Sequence, residues 1–242
     1  MINRLTFRWR AGVIHVALTA LVALAAALLI FFLWYPSPYH KISGGLHLFA
    51  ILLVVDLVLG PTLTLIVSNP NKPRRKLFFD WSVIVVLQLC ALGYGLHTVA
   101  LARPVVLAWE GDGGRFRLVS AASVLHEELS RAPPALQELS WYGPVLVSTR
   151  SPTTSNERFD AVASALAGHD LGTRPSFWLQ WNSDAAKQAS ATPCDEPFIQ
   201  ERYEVEVACP PLLAKTGHWR AVLRQQDGAF LEVVAESSGA AK

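Results

Sequence analysis

The sequence predicts an α-helical membrane part with three transmembrane helices, followed by a small α+β domain. Hydrophobic residues make up 52% of the 242 residues and charged residues only 17%, whereas soluble globular proteins carry about 25% charged residues. The apolar residues are concentrated in three blocks, residues 12–33, 46–67 and 77–101. Each block approaches or exceeds the roughly 20 residues that cross a bilayer core. We therefore predict a transmembrane domain over 1–101 and an α+β domain over 102–242.

The first block is predicted to remain in the protein as a membrane anchor. Basic residues precede it, as they do in a signal peptide. However, its apolar run is longer than the 7–15 residues of a signal peptide, and residues 31–40 contain no cleavage site of small residues.

Lysine and arginine predict how the chain crosses the membrane. Arg4, Arg8 and Arg10 precede the first block, and the loop at 68–76 carries four basic residues, whereas the loop between the first two blocks carries only Lys41. By the positive-inside rule, the N-terminus and the basic loop are cytoplasmic. The domain after residue 101 is then periplasmic, in the inner membrane of a Gram-negative-type cell.

Three aromatic residues in the loop between the first two blocks are predicted to lie at the outer membrane interface. Trp34, Tyr35 and Tyr39 follow the first block directly. Tryptophan and tyrosine are enriched where a membrane-spanning segment meets water. We therefore expect these side chains to form an aromatic belt.

Charge and cysteine content limit what the C-terminal part can bind. From residue 102 onward the chain carries 13 basic and 17 acidic residues, so a nucleic-acid partner, which needs a basic face, is not expected. Cys194 and Cys209 have 14 residues between them, and a disulfide can close that spacing. Zinc is the weaker alternative, because neither cysteine belongs to a C-x-x-C pair and the nearest histidine is His218. An oxidising periplasm agrees with a disulfide.

Polar residues inside the second and third blocks are the most informative positions of the membrane part. Asp56 lies near the middle of the second block, where an isolated charge costs at least a few kcal/mol. The side chain must therefore be neutral or hydrogen-bonded. Because a short loop joins the two blocks into a hairpin, Gln88 is expected at the depth of Asp56, and Asp80 at the depth of Thr64.

Small residues and a proline accompany these polar groups. Ala91 and Gly95 extend the stripe of Gln88, and Gly60 also permits close helix packing. Pro61 lacks a backbone donor and is expected to kink the second helix. This stretch is read as a hydrogen-bonded helix hairpin or as a surface for another protein's transmembrane helix. A proton or ion path is less favoured, because Asp56 has no second acidic partner.

The C-terminal part shows alternating helix and strand patterns. A helix capped by Thr154 and Glu157 is expected to run to residue 167, and a hairpin is expected to turn at Asp227 and Gly228. The remaining expectations are two strands joined by a glycine-rich turn at 111–114, a helix over 120–132, a strand over 143–150, a helix over 184–190, a strand over 202–208 and a disordered tail over 236–242.

No catalytic motif is present in the sequence. His126 with Glu127 and Glu128 lacks the second histidine of a zinc-protease helix. Phosphate-binding loops, dinucleotide fingerprints and G-x-S-x-G are absent from the sequence. The polar residues expected near the outer surface match no mechanism; they are Arg103, Glu110, Asp112 and His97. We therefore predict neither an enzyme nor a cofactor or metal site.

The order of motifs in the membrane part resembles a known family. WYP is followed by GG before an apolar run, then by VVDLVLGPTLTLIV, a basic loop, FFDWSVIVVLQLCALGYG and ARPV. This order resembles the TfpX/TfpZ family of type IV pilin accessory proteins and the fimbrial-assembly accessory proteins of related pilus systems. The residues that carry the resemblance are Asp56, Gly60, Pro61, Leu63, Thr64, Asp80, Gln88, Tyr94, Gly95, Arg103 and Pro104.

The resemblance implies a non-enzymatic, chaperone-like accessory role at the inner membrane. Its partner would be the major type IV pilin, which presents a hydrophobic helix in the membrane and a globular head outside, with the pilus assembly machinery as a further possible partner. The same residues except Leu63, together with Ala91, are then candidates for contact with the pilin or for helix packing. The alternatives are a membrane-bound pilin-modifying enzyme and a periplasmic sensor, although a sensor would have little cytoplasmic protein for its output.

Overall fold

Three long helices form the membrane part of the computed structural model, which describes residues 2–69, 71–195 and 197–236. Each is long and apolar enough to cross a membrane, which confirms the three predicted transmembrane helices; we call them span 1 (Trp9–Trp34), span 2 (Gly45–Val67) and span 3 (Arg74–Ala102). Span 1 comprises the part of helix α1 (Ile2–Leu28) from Trp9 onward and a π-helical turn (Leu29–Trp34). A short helix α2 (Tyr39–Ile42) follows. Span 2 comprises α3 (Gly45–Val54), a π-helical turn (Val55–Leu59) and α4 (Gly60–Val67), and span 3 is helix α5 (Arg74–Ala102).

Span 2 changes its helical register just before its proline. The π-helical turn Val55–Leu59 ends where Gly60 and Pro61 begin α4. Pro61 has no N–H with which to continue the α-helical ladder, and a π-bulge is a recognised way for a helix to accommodate such an interruption. The irregularity expected at Pro61 therefore takes the form of a π-helical turn, and Asp56 lies within it.

The chain forms two compact units. One contains Met1–Leu33 and Gly45–Leu101, and the other contains Trp34–Gly44 and Ala102–Lys242. The segment between spans 1 and 2 thus groups with the C-terminal domain, whereas the sequence division at residue 101 assigns it to the membrane part.

The segment Trp34–Gly44 completes the hydrophobic core of the C-terminal domain. Ile42 is fully buried in the main core cluster of this domain, and Tyr39 packs against that cluster. Burial raises the pKa of Tyr39 to about 12. The Thr216 hydroxyl donates to the carbonyl of Ile42 at 3.0 Å. Trp34 and Tyr35 are buried as well, so the expectation that these aromatic side chains form a lipid-facing belt is wrong.

The C-terminal domain is built on a mixed, eight-stranded sheet. Its strands are β1 (Pro104–Glu110), β2 (Arg115–Ser120), β3 (Val145–Thr149), β4 (Trp178–Gln180), β5 (Val207–Ala208), β6 (Pro211–Leu213), β7 (His218–Arg224) and β8 (Phe230–Ala235). The order across the sheet is β4-β3-β1-β2-β6-β7-β5, and β8 also pairs with β7. The pairs β1–β3 and β2–β6 are parallel, and the others are antiparallel.

Most of the predicted elements of this domain are present. The strands β1, β2 and β3 lie where the sequence places them, and the β7–β8 hairpin turns through Gly228, whose φ of 65° suits glycine. Three helices accompany the sheet, α6 (Ser155–Leu166), α7 (Ser183–Ser190) and α8 (Pro197–Gln200). The Thr154 side chain caps α6 by accepting from the Glu157 N–H at 3.1 Å. The small α+β domain is therefore confirmed.

Two predicted elements are wrong in detail. The helix expected over 120–132 is instead two short 3-10 helices, Ala121–Ser123 and His126–Arg131. Buried Ala121 and Val124 are three residues apart, and both pack in the core cluster beside β1 and β2. The strand expected over 202–208 is reduced to Val207–Ala208. The tail predicted to be disordered lies outside the described residues from 237 onward.

A disulfide joins Cys194 to Cys209 in the C-terminal domain. Their Cα atoms are 4.6 Å apart. Both side chains are buried with Ile199, Val207 and Val222 in a separate core cluster. The disulfide therefore ties the segment around α8 to the sheet.

Candidate functional site: a polar groove among the three spans

Asp56 occupies the centre of a polar site within the membrane spans. It is 9% exposed and lies in the π-helical turn of span 2. Its backbone carbonyl accepts a hydrogen bond from Nε2 of Gln88 at 3.4 Å, which joins spans 2 and 3 at the depth that the hairpin arrangement predicts. Within the described part of the chain, the Asp56 carboxylate itself has no hydrogen-bond or ion-pair partner.

Span 1 contributes a histidine to this site that the sequence analysis missed. Nδ1 of His15 and the Thr64 hydroxyl are 2.8 Å apart and hydrogen-bonded. Thr64 is buried on span 2. The position of His15 inside an otherwise apolar block could have predicted this contact, because polar residues within spans usually face other helices or a cavity.

Asp56, Gln88 and His15 line a groove with a volume of about 170 Å³. All three spans contribute to it, and its lining residues are His15, Leu18, Thr19, Val22, Asp56, Val85, Gln88, Leu89 and Leu92. Leu18 and Leu89 are both largely exposed, so the groove opens at the surface of the spans. It therefore combines apolar walls with an unpartnered carboxylate.

Gly60 and Gly95 provide close packing among the spans themselves. A Cβ added to Gly60 would lie 2.0 Å from Nε2 of Gln88 and 2.7 Å from Nε2 of His15. A Cβ added to Gly95 would lie 2.3 Å from Cδ1 of Leu52. Space at both glycines is thus taken up by neighbouring spans rather than left open for a partner.

The other small or aromatic candidates of span 3 face outward. Ala91 and Tyr94 are exposed and are absent from the lining of the groove. Pro61 is buried beside Gly60. Of the candidates from the sequence, the structure thus brings Asp56 and Gln88 together and leaves Ala91 and Tyr94 on the outer surface.

Asp80 stabilises the basic end of the hairpin between spans 2 and 3. Its carboxylate forms an ion pair with Lys72 at 2.7 Å. Nearby, Nε1 of Trp81 donates to the Ser68 hydroxyl at 3.1 Å. These contacts lie within the hairpin, and Thr64 bonds to His15 instead of Asp80.

Arg103 and Pro104 belong to the C-terminal domain. Pro104 begins β1, and the Arg103 carbonyl accepts from the Ala121 N–H at 2.9 Å. The Arg103 guanidinium lies over the ring of Trp141, 4.5 Å from its centroid. Burial lowers the pKa of Arg103, and the nearby Tyr35 partly offsets this effect. Both residues thus have structural contacts.

Glu110 and Asp112, two of the residues considered for an enzyme, are engaged in structural contacts. The buried Glu110 carboxylate accepts from Nε of Arg115 and Nε of Arg117, at 2.9 and 2.7 Å. Asp112 accepts from the Ser151 hydroxyl at 2.6 Å. Among the residues that the structure describes, no group of three or more His, Cys, Asp or Glu is placed to hold a metal.

The C-terminal domain also presents an exposed apolar stripe on α6. Phe159, Val162 and Leu166 lie at helical spacing and are all largely exposed. No residue of α6 is buried. An ion pair between Arg150 and Glu157 at 2.9 Å holds the first turn of this helix. The helix thus exposes an apolar face to its surroundings, and we call these three residues the α6 stripe.

Comparison with known proteins identifies relatives of the whole chain. The family model described as "Fimbrial assembly protein FimB" matches residues 3–44. The fimbrial assembly protein of serogroup E1 from Dichelobacter nodosus is 34% identical over 239 residues, which cover 98% of this chain and 90% of that protein. The serogroup I protein of the same organism is 34% identical over the same shares of both chains.

A third relative matches about half of this chain. The fimbrial assembly protein of serogroups C1 and C2 from Dichelobacter nodosus is 41% identical over 130 residues, covering 54% of this chain and 98% of that protein. No solved structure matches the chain. Because two relatives align over nearly the full length, this chain belongs to the family of fimbrial assembly proteins, in agreement with its resemblance to type IV pilin accessory proteins.

Proposed function

We propose that this chain is a non-enzymatic accessory protein of the inner membrane that binds the major type IV pilin and promotes or modulates pilus assembly. Family membership supports the role in assembly. The observation that carries the binding role is the open groove among the spans, which places the unpartnered Asp56 carboxylate between apolar walls.

The groove suits a transmembrane helix of another protein. Lipid tails are as apolar as leucine, so helices associate in membranes through close packing and hydrogen bonds rather than through the hydrophobic effect. A partner helix can pack on Leu18 and Leu89, which are otherwise exposed. A polar hydrogen on that helix would supply Asp56 with the hydrogen bond that it lacks, and thereby offset part of the cost of a carboxyl group in the bilayer.

The α6 stripe suits contact with the globular head of the same pilin. Exposed aromatic and aliphatic side chains grouped on one face are typical of protein interaction sites. With the positive-inside orientation, the C-terminal domain is periplasmic, as the pilin head is expected to be. The Cys194–Cys209 disulfide is compatible with that compartment. The accessory protein would then hold both parts of a membrane-embedded pilin.

Filling the groove with a larger side chain tests this proposal. Val22 lines the groove and is 42% exposed, whereas Val16 is 41% exposed on the same helix and does not line it. We expect Val22→Trp to reduce the amount of pilin that co-purifies with the full-length protein by several-fold, because the indole occupies the space of the partner helix. Val16→Trp is the matched control and should leave co-purification unchanged.

Asp56 variants separate hydrogen bonding from charge. If Asp56 acts as a hydrogen-bonded carboxyl group, Asp56→Asn should keep most of the pilin association and Asp56→Leu should lose it, at equal protein levels. Equal loss in both variants would show that a charge is required. Pilin capture unaffected by Val22→Trp and by Asp56→Leu would rule out the groove as the binding site.

A further inference from the structure

Two neighbouring aromatic residues of the C-terminal domain are largely exposed. Trp141 is 63% exposed and Tyr142 is 70% exposed. They lie in the loop that precedes β3, at Val145–Thr149. Large aromatic side chains are costly to leave in water, and adjacent exposed ones mark an interaction surface.

Residues at the end of span 1 contact this loop. The ring centroid of Trp141 is 6.4 Å from that of Trp34, and Trp34 is the last residue of span 1. Behind the loop, Gly143 has a φ of 61°, and a Cβ there would lie 2.8 Å from Cγ of Pro36. The loop that carries Trp141 and Tyr142 therefore packs against residues that end and follow span 1.

A second point of exit is joined to the same loop. Arg103 directly follows span 3, which ends at Ala102. Its guanidinium lies 4.5 Å from the centroid of the Trp141 ring, and its Nε donates to the Ser140 carbonyl at 3.5 Å. Residues next to the ends of two different spans thus contact one aromatic loop.

We infer that Trp141 and Tyr142 insert into the headgroup region of the phospholipid bilayer on the side of the C-terminal domain. Tryptophan and tyrosine favour this region because their rings are apolar and their N–H and O–H groups reach polar partners. The occupant of this surface is lipid, because the residues that hold the loop are the ends of the membrane spans themselves. This loop would then supply the aromatic contact with the membrane interface that the sequence suggested for Trp34, Tyr35 and Tyr39. The inference does not depend on pilin binding.

Spin labels in the full-length protein test this inference. The free Cys90 is replaced in Cys90→Ser, and the disulfide cysteines are kept. A nitroxide is attached in Tyr142→Cys, and the protein is placed in bilayers of phosphatidylethanolamine and phosphatidylglycerol without pilin. Collision rates with oxygen, which concentrates in lipid, and with a water-soluble nickel chelate are then compared.

Two exposed positions provide the reference values. Phe32→Cys lies in span 1 and reports lipid, and Leu166→Cys, which is 86% exposed in the C-terminal domain, reports water. We expect the oxygen-to-nickel ratio at residue 142 to be several-fold higher than at residue 166. A ratio equal to or below that at residue 166 would overturn the inference.

Discussion

The two units of this protein treat their buried carboxyl groups differently. In the C-terminal domain, Glu110 accepts from two arginines and from the Gly172 N–H. Glu128 accepts from Arg174 and from the Ser176 hydroxyl. Among the spans, the Asp56 carboxylate has no such partner within the described residues, although an unpaired charge is costly inside a membrane.

This difference concerns how each unit satisfies its buried carboxyl groups. A buried charge without a partner is strongly destabilising, so folded domains pair such groups. The C-terminal domain follows that rule, and it adds a disulfide. The spans leave Asp56 facing an open groove, which is the arrangement expected where a second protein supplies the remaining contact. The stability of the C-terminal domain should therefore depend on its carboxylate–arginine pairs, and close packing among the spans should preserve the groove.

Removing the Glu110 carboxylate should have the largest effect on the C-terminal domain. Glu110→Ala leaves Arg115 and Arg117 without their shared acceptor, and breaking a buried ion pair costs about 3–5 kcal/mol. We expect a loss near the lower end, because Arg117 keeps its ion pair with Asp170. Pulse proteolysis of the full-length protein in urea measures this loss. The exposed Glu138 provides the control Glu138→Ala, and equal stability of both variants would contradict the pairing.

Removing the disulfide should have a slightly smaller effect on the same domain. Closing a loop of about 15 residues stabilises a protein by about 3 kcal/mol, chiefly by restricting the unfolded chain. We therefore expect the double substitution Cys194→Ser and Cys209→Ser to lower the unfolding free energy of the domain by about that amount. The same urea assay checks it, with Cys90→Ser as the control. No change on reduction of the wild type would contradict the bond.

Adding a methyl group at Gly60 should disturb the spans. Its Cβ would overlap Nε2 of Gln88. Because that atom ends a flexible side chain, we expect a cost near the lower end of the about 1–3 kcal/mol that is typical of overpacking. Gly93, on span 3, has nothing within 4 Å of an added Cβ, and alanine gains the same helix propensity at both positions. We expect the detergent-solubilised full-length protein to melt at a lower temperature with Gly60→Ala than with Gly93→Ala. If both variants melt alike, the close packing of spans 1, 2 and 3 at Gly60 is wrong.

Acidification should weaken the C-terminal domain through Glu128. Burial raises the pKa of this carboxyl group, but hydrogen bonds from Arg174 and Ser176 outweigh burial and lower it below its ordinary value of 4.5. Because the folded-state pKa is the lower one, the pair contributes its full stability above pH 4.5 and loses it as the pH falls through the lowered pKa. We expect the unfolding free energy to fall less steeply below pH 4.5 in Glu128→Gln than in the wild type. Identical slopes would contradict a role for this pair.

The sequence predicts the membrane part because the relevant signals are local. The three spans follow from the length of their apolar runs, and the depth match of Asp56 and Gln88 follows from a short hairpin loop. His15 could not be placed in the same way. Its contact with Thr64 depends on how span 1 rotates against span 2, and no local pattern records that rotation.

In the C-terminal domain, too, local sequence patterns predict local elements but not contacts between distant residues. Turn and cap residues predict the β7–β8 hairpin and the start of α6, because Gly228 and Thr154 act on their immediate neighbours. The burial of Ile42 and Tyr39 depends on a sheet formed by residues far along the chain. The tryptophan and tyrosines after the first apolar block therefore suggested an aromatic belt at the membrane interface, whereas in the structure the segment Trp34–Gly44 packs into a protein core.

Site-specific photo-crosslinking in intact cells tests the central claim, that the groove among the spans receives the pilin helix. Leu89 and Leu87 lie on span 3 with nearly equal exposures of 59% and 60%, but only Leu89 lines the groove. A photoreactive residue at position 89 should crosslink to the major pilin, and one at position 87 should not. Adducts of equal yield at both positions, or at position 87 alone, would contradict the claim, as would the absence of any adduct with both proteins at normal levels.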